Sequence, residues 1–596
     1  MSTTTDEPPL RPGPAERGPA EPGPTEPGPA TGVDLDGAGL TVEDVARLAD
    51  GTAVPSVPSA ALERVRRSWR AAQRLAAAGR LYGRATGVGA HRSVPVGPDD
   101  EADHGLRLLR SHAGGAGAPL PTRQVRAMLA VRANQLLAGG SGIHPDIVHG
   151  LVEALRLGHH PAVPEYGGLG TGDLTALAET GLALIGERPW LPDVHAPGLD
   201  SGPGSAPGSA PGSGSASGSD PARGPAHVRG PGPGRSPSIR PAPGLGPGLD
   251  PGPSPSVGPG RGLGPDSRPD PGPDLGPEPG PGPTPTPIRL RPGDALALLS
   301  SNALVLGQAA LASHALGALL RATHAVAALS LAAVSGSPEA YAAPVHALRP
   351  YPGAARAAAE VRRLLELPER PAGFGSRIQD PYGFRAFPQV HGATLDAADA
   401  LRRIVETEIN CPTENPLIAP DGTAAYHHGG FYAAPLALAL DGLNLALLQT
   451  AQLCAARLTA LGRPDLTGLP AFLATGPAGS SGTMILEYTA TSALAELRTC
   501  ATPASAGHAV LSHGLEEAAS FASQAARQTL RATDAYRTVL ACELVTAVRA
   551  LRLHPSPPRL PVLAVAAAAL PAGTEDRPLT TDLARAEELL MTLAEL

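Results

Sequence analysis

The chain has 596 residues, a net charge of −8, and 72 glycines and 69 prolines. An acidic balance gives no electrostatic footing for nucleic acid or an anionic membrane surface, and no apolar run reads as a clean bilayer span. Every one of its basic residues is arginine, which excludes a lysine Schiff base, a phosphate-loop lysine and a lysine general base.

Taken in order, residues 1–32 are loose Pro, Gly and Glu repeats that cannot bury enough apolar surface to order themselves. Composition turns globular at Val33, and Leu40–Ala49 and Ala61–Ala78 carry helical periodicity. Residues 33–198 form the first part of the core. Residues 199–287, almost wholly Pro, Gly, Ser and Asp without a strict glycine period, read as a disordered insertion. From 288 to 596 the chain is helix upon helix: one long stretch over Asp294–Ala333, another over Leu436–Leu461, and several turns within Ser505–Leu553. Helices apolar around most of their circumference must be covered by other helices, in one bundle or between subunits. The fold class is mainly α. Cys411, Cys454, Cys500 and Cys542 are widely spaced and read as small buried residues in a reduced, cytoplasmic setting.

The stretch with the most unusual backbone chemistry is Glu165-Tyr-Gly-Gly-Leu-Gly-Thr-Gly-Asp-Leu174. Its glycines permit positive φ directly before a helix that Thr171 or Asp173 can cap. A dinucleotide-binding loop is the rival reading, but Pro161 and Pro164 interrupt the strand it requires.

Around this loop lie Tyr82-Gly-Arg-Ala-Thr-Gly-Val-Gly89, Ser111-His-Ala-Gly-Gly-Ala-Gly117, Val125-Arg-Ala-Met-Leu-Ala-Val-Arg-Ala-Asn134 and Gln379-Asp-Pro-Tyr-Gly-Phe-Arg385. Together they resemble the histidine and phenylalanine ammonia-lyase family. The resemblance implies a large helical bundle of the fumarase/aspartase-like type and a homotetramer whose sites are built by three chains. It implies loss of ammonia from an α-amino acid, histidine-like or aromatic, or a related amine shift, with no external cofactor or metal. In that family an Ala-Ser-Gly tripeptide cyclises into a methylidene-imidazolone (MIO) electrophile. Here the matching place reads Gly170-Thr171-Gly172, in a loop one residue shorter.

By resemblance Tyr82 removes the β-proton, and Tyr382 supports the electrophile or the leaving amine. Arg385 suits an α-carboxylate, because a planar guanidinium donates two parallel hydrogen bonds. Asn415 bonds the same carboxylate, and Gln389 matches as well. Phe431 is an aromatic wall, whereas the family's Asn, His and Glu nearby have become Gly430, Tyr432 and Ala434. His112 and Glu516 match positions used around an imidazole, and make a polar side chain, histidine first, the leading substrate. Ser300 stands where the family has an Asn holding the electrophile's carbonyl, with Asn302 two residues on, and Ala85 replaces another Asn. Thr574-Glu-Asp-Arg-Pro-Leu579 matches the family's closing segment. Dehydrating Thr171 leaves a carbon bearing a methyl group, more crowded than the one serine gives. With Ser300 and the shorter loop, the expectation is that the standard electrophile does not form, which leaves a self-derived, threonine-based variant of the methylidene-imidazolone as one reading. The alternatives are a lyase-fold enzyme without that electrophile and a non-catalytic binding or partner subunit.

Overall fold

The computed structural model describes residues 31–79, 81–193, 283–372 and 377–596. The tail and the insertion therefore lie outside the described residues, apart from their inner edges: Thr31–Asp34 already forms a strand, and Pro285 is buried. Four two-stranded pairs are the sheet content of the described residues. Everything else of consequence is helix.

Three long helices carry the architecture: Ala303–Ala333, Ala434–Leu461 and Ala522–Leu553. The first is alanine- and leucine-rich on all sides and is covered by Ala522–Leu553 on one face and Thr122–Ala138 on another. Small residues at these contacts let the helix axes approach closely. Phe387–Glu408 and Met484–Cys500 pack on Ala434–Leu461. By length and apolar character, Asp294–Ala333 and Ala434–Leu461 pass for membrane spans, contrary to the reading from sequence; the first is mostly buried inside the bundle and the second half-buried.

Buried polar groups fasten the helices along their length. Arg457 pairs with Glu543 at 2.6 Å, both fully buried, and Ser330 donates to the same carboxylate at 2.7 Å. Thr323 bonds Tyr536 at 2.6 Å. These partners rise together along the three helices, which therefore run side by side from a common end.

The stretch 294–333 is two helices rather than one. Asp294–Leu299 stops, and Ala303–Ala333 restarts after Ser300–Asn302. Likewise residues 505–521 are not helical throughout. They contain an antiparallel bridge between Leu511 and Glu516 and a left-handed residue, Phe521 at φ +57°, before the last long helix begins. Both interruptions fall at the glycine loop.

Candidate active site

The loop is held at the common end of the three long helices. The residue preceding each helix bonds it directly. Asn302 Oδ1 accepts the Gly172 N–H at 2.9 Å. The Ala433 N–H donates to the Gly170 carbonyl at 3.1 Å. The Phe521 N–H donates to the Leu169 carbonyl at 2.8 Å. Ser520 adds a second donor to the Gly170 oxygen at 2.8 Å. Helix N-termini carry partial positive charge and free N–H groups, so three of them converging favour negative charge on the loop.

Glycine is required at 170. Its φ is +76°, and a Cβ there would lie 2.1 Å from Ser520 Oγ and 2.7 Å from the Ala522 nitrogen. Gly172 has φ +120°. Thr171 between them is half-buried. A short strand, Pro164–Tyr166, does precede the loop, but it pairs antiparallel with Ala116–Pro119 rather than joining a parallel sheet.

Asp173 does not cap its own helix, Leu174–Leu184, as the sequence suggested. Its Oδ2 accepts the Val305 N–H at 3.0 Å, capping Ala303–Ala333 instead. Burial pushes its carboxyl up to about 7, against the bonds from the Val305 and Leu304 backbone. The Asp173 N–H donates to the Ser301 carbonyl at 2.7 Å, so loop and helix break hold each other.

The Val125–Asn134 motif works from beneath. Arg132, fully buried, pairs with Glu414 at 2.9 Å and donates to the Leu298 and Ala297 carbonyls. Gln135 accepts from Ser301 at 2.6 Å and donates to the Glu408 carbonyl at 3.0 Å. One helix face thus fixes both the 297–301 and the 408–414 segments.

Several of the residues singled out from sequence gather here. The Tyr82 hydroxyl accepts the Gly89 N–H at 2.8 Å, and Ala90 next door donates to Ser512 Oγ at 3.0 Å, in the turn that carries Glu516. Asn415 Oδ1 accepts the His428 N–H at 3.1 Å. The Phe431 carbonyl accepts from Asn302 Nδ2. Ser300 offers its carbonyl to Thr413 at 3.0 Å; the side chain that reaches the loop from this segment is Asn302. His112 ends helix Glu101–His112 with Nδ1 against the Leu108 carbonyl, and the strand that follows it pairs just upstream of the glycines. His427, not singled out from sequence, lies edge-on to Tyr82 with ring centroids 6.2 Å apart.

Tyr382 and Arg385 stand elsewhere. Tyr382 is 68% exposed, with the Arg385 guanidinium stacked on its ring at 4.4 Å. Gly383 between them accepts from Arg457, the partner of Glu543. Glu543 is 21 residues past Ala522, so the pair sits about 30 Å along the last long helix from the loop. No hydrogen bond or ring contact among the described residues joins Tyr382 or Arg385 to the loop.

The residues at 170–172 fit a self-cyclising tripeptide in their backbone. Gly172 supplies the nitrogen and Gly170 a carbonyl already polarised by two donors. They depart from the usual tripeptide in Gly170, where it has Ala, and in the methyl of Thr171.

The family model for aromatic amino acid lyases matches residues 40–197 and 284–570. Histidine ammonia-lyase of Anaeromyxobacter dehalogenans is 32% identical over 93% of this chain and 98% of its own length. That of Geobacillus thermodenitrificans is 30% identical over 87% and 88%. Among solved structures, histidine ammonia-lyase from Trypanosoma cruzi superposes with a TM-score of 0.72, at 24% identity over 94% of both chains. Tyrosine aminomutase from Streptomyces globisporus gives 0.74, at 24% identity over 94% of this chain and 97% of that one. Both share the fold seen here. The chain belongs to the aromatic amino acid lyase family, and is a carbon–nitrogen lyase of ammonia-lyase type.

Proposed function

We propose that the chain eliminates ammonia from an α-amino acid with a histidine-like side chain, at a site that two or more copies of the chain complete. The observation that carries this reading is the gathering of Tyr82, Asn415, Phe431 and the Glu516 turn around a glycine loop at three helix N-termini. The histidine ammonia-lyases among its relatives, with His112 and Glu516, favour histidine over a purely apolar side chain.

Tyr82 is the base for the β-proton. The Gly89 N–H donates to its oxygen and fixes the hydroxyl's position. Arg385, which lies about 30 Å along the last long helix from the loop within one chain, serves the α-carboxylate from a second copy, with Tyr382 beside it. Asn415 lies on the Tyr82 side and bonds the same carboxylate. A homotetramer in the cytoplasm fits this sharing and the four free cysteines.

At the loop, closure joins the Gly172 nitrogen to the Gly170 carbonyl carbon with loss of one water. A second water takes the Thr171 hydroxyl and α-hydrogen. Ser520 and the Ala433 N–H take up the charge that builds on the Gly170 oxygen. Asn302 orients the Gly172 nitrogen, supplying the preorganisation that Ser300 was expected to have lost. A group so formed would keep the threonine methyl and would supply an electrophile for the substrate's amine. Readings without catalysis gain no support from the histidine ammonia-lyase relatives.

Ammonia release from L-histidine, L-phenylalanine and L-tyrosine tests the proposal. Activity on L-histidine is expected, with a fall of about 10²-fold or more in Tyr82→Phe. Equal rates in the variant contradict the assignment of the base.

A further inference from the structure

Away from the loop, the four helices Ala303–Ala333, Pro352–Leu364, Phe387–Glu408 and Thr580–Leu593 line a cavity of about 430 Å³ that is open to solvent and in which Arg321 is exposed. Arg321 is 18 residues into the first of these, so the cavity lies about 27 Å along that helix from the loop. Leu320, Leu364, Leu395 and Leu593 give it apolar walls, and four arginines against two carboxylates give it charge.

Three of those arginines already have acid partners. Arg356 pairs with Asp399 at 3.0 Å, Arg363 with Glu360 at 2.8 Å, and Arg402 with Glu406 at 3.0 Å and Glu43 at 2.5 Å. Arg321 has no carboxylate partner among the described residues. Its Nε donates to the Ala594 carbonyl at 3.2 Å, which holds the guanidinium while leaving its terminal nitrogens for another acceptor. His324, one turn on, adds no charge at neutral pH: burial pushes its imidazole down to about 4. Anion recognition in the cavity thus falls on Arg321.

We propose that this cavity is a second ligand site, for a small monocarboxylate with an apolar body. The carboxylate meets the Arg321 guanidinium and the hydrocarbon lies against the leucines. A carboxylate suits the fork of N–H groups, and burial of the hydrocarbon adds to affinity.

Isothermal titration of the full-length protein with isocaproate tests this, with isoamyl alcohol as the uncharged control. Saturable binding of the acid and none of the alcohol is expected. Arg321→Gln should weaken binding about tenfold or more. Arg385→Ala, in the proposed substrate site, should leave it unchanged. Gly317→Phe offers a second route: a Cβ there meets only Arg321 Nη1 at 3.6 Å, so the new side chain fills the cavity and should abolish binding without loss of thermal stability. Absence of saturable binding, binding indifferent to Arg321→Gln and Gly317→Phe, or binding lost with Arg385→Ala would each overturn the proposal. So would dissociation of the assembly by Gly317→Phe, which would make the cavity a subunit contact.

Discussion

Asp173 joins the loop to the bundle, and it does so at an electrostatic cost. Its Oδ2 caps Ala303–Ala333, while Oδ1, buried, has no partner among the described residues. The folded protein holds a proton on this carboxyl up to about pH 7, whereas the unfolded chain releases it near 3.8. The folded state therefore binds more protons across that window, and stability falls as pH rises through it. Asp173→Asn keeps an acceptor for the Val305 N–H and has nothing to titrate. Calorimetry across the window is expected to show a smaller fall in Tm for the variant than for the native chain; parallel slopes would contradict this account. At the same scale, Gly170 explains one departure from Ala-Ser-Gly: with φ +76° and Ser520 Oγ against it, the position has no room for a Cβ. The sequence offered Asp173 as a cap for its own helix because adjacency is visible in a sequence and a partner 132 residues away is not.

Three long helices meeting at one loop is the organising arrangement of the elements. Their periodicity and apolar character were legible, so the mainly helical bundle could be expected from residues alone. The interruptions were not. Asp294–Ala333 is alanine- and leucine-rich on both sides of Ser300–Asn302, and local propensity favours an unbroken helix. Tertiary bonds impose the break: Asp173 N–H on the Ser301 carbonyl, Thr413 on the Ser300 carbonyl and Gln135 on the Ser301 hydroxyl. The break turns Asn302 toward Gly172 and Phe431. Asn302→Ala removes both contacts and favours fusion of the two helices. Loss of about 1–3 kcal/mol of stability is expected from the buried bonds, together with loss of the cyclisation proposed for the loop. Chemical denaturation and peptide mapping check this; a fully modified loop in the variant would contradict it.

At the scale of the whole molecule, Tyr82 and Arg385 belong to opposite ends of one chain. Exposed Leu438 and Leu445 on Ala434–Leu461, with Ile485 and Tyr488 on Met484–Cys500, offer apolar surface for a second copy. If sites are shared between copies, Tyr82→Phe chains and Arg385→Ala chains, each inactive alone, should regain activity when refolded together. Random assortment restores roughly a quarter of the native sites in a symmetric oligomer. No activity in the mixture would place each site within one chain. The motifs around Tyr82, Arg385 and Asn415 were readable in sequence; their separation within one chain needed the fold, because spacing along a chain says nothing of distance across a bundle. The reaction proposed for this chain turns on what the 170–172 loop becomes. Intact-mass measurement of the purified protein, with peptide mapping across Thr171, reads this directly. A chain lighter than its sequence by two waters, the loss confined to the peptide holding Thr171, is the predicted result; an unmodified mass in a protein that still releases ammonia from histidine would contradict it.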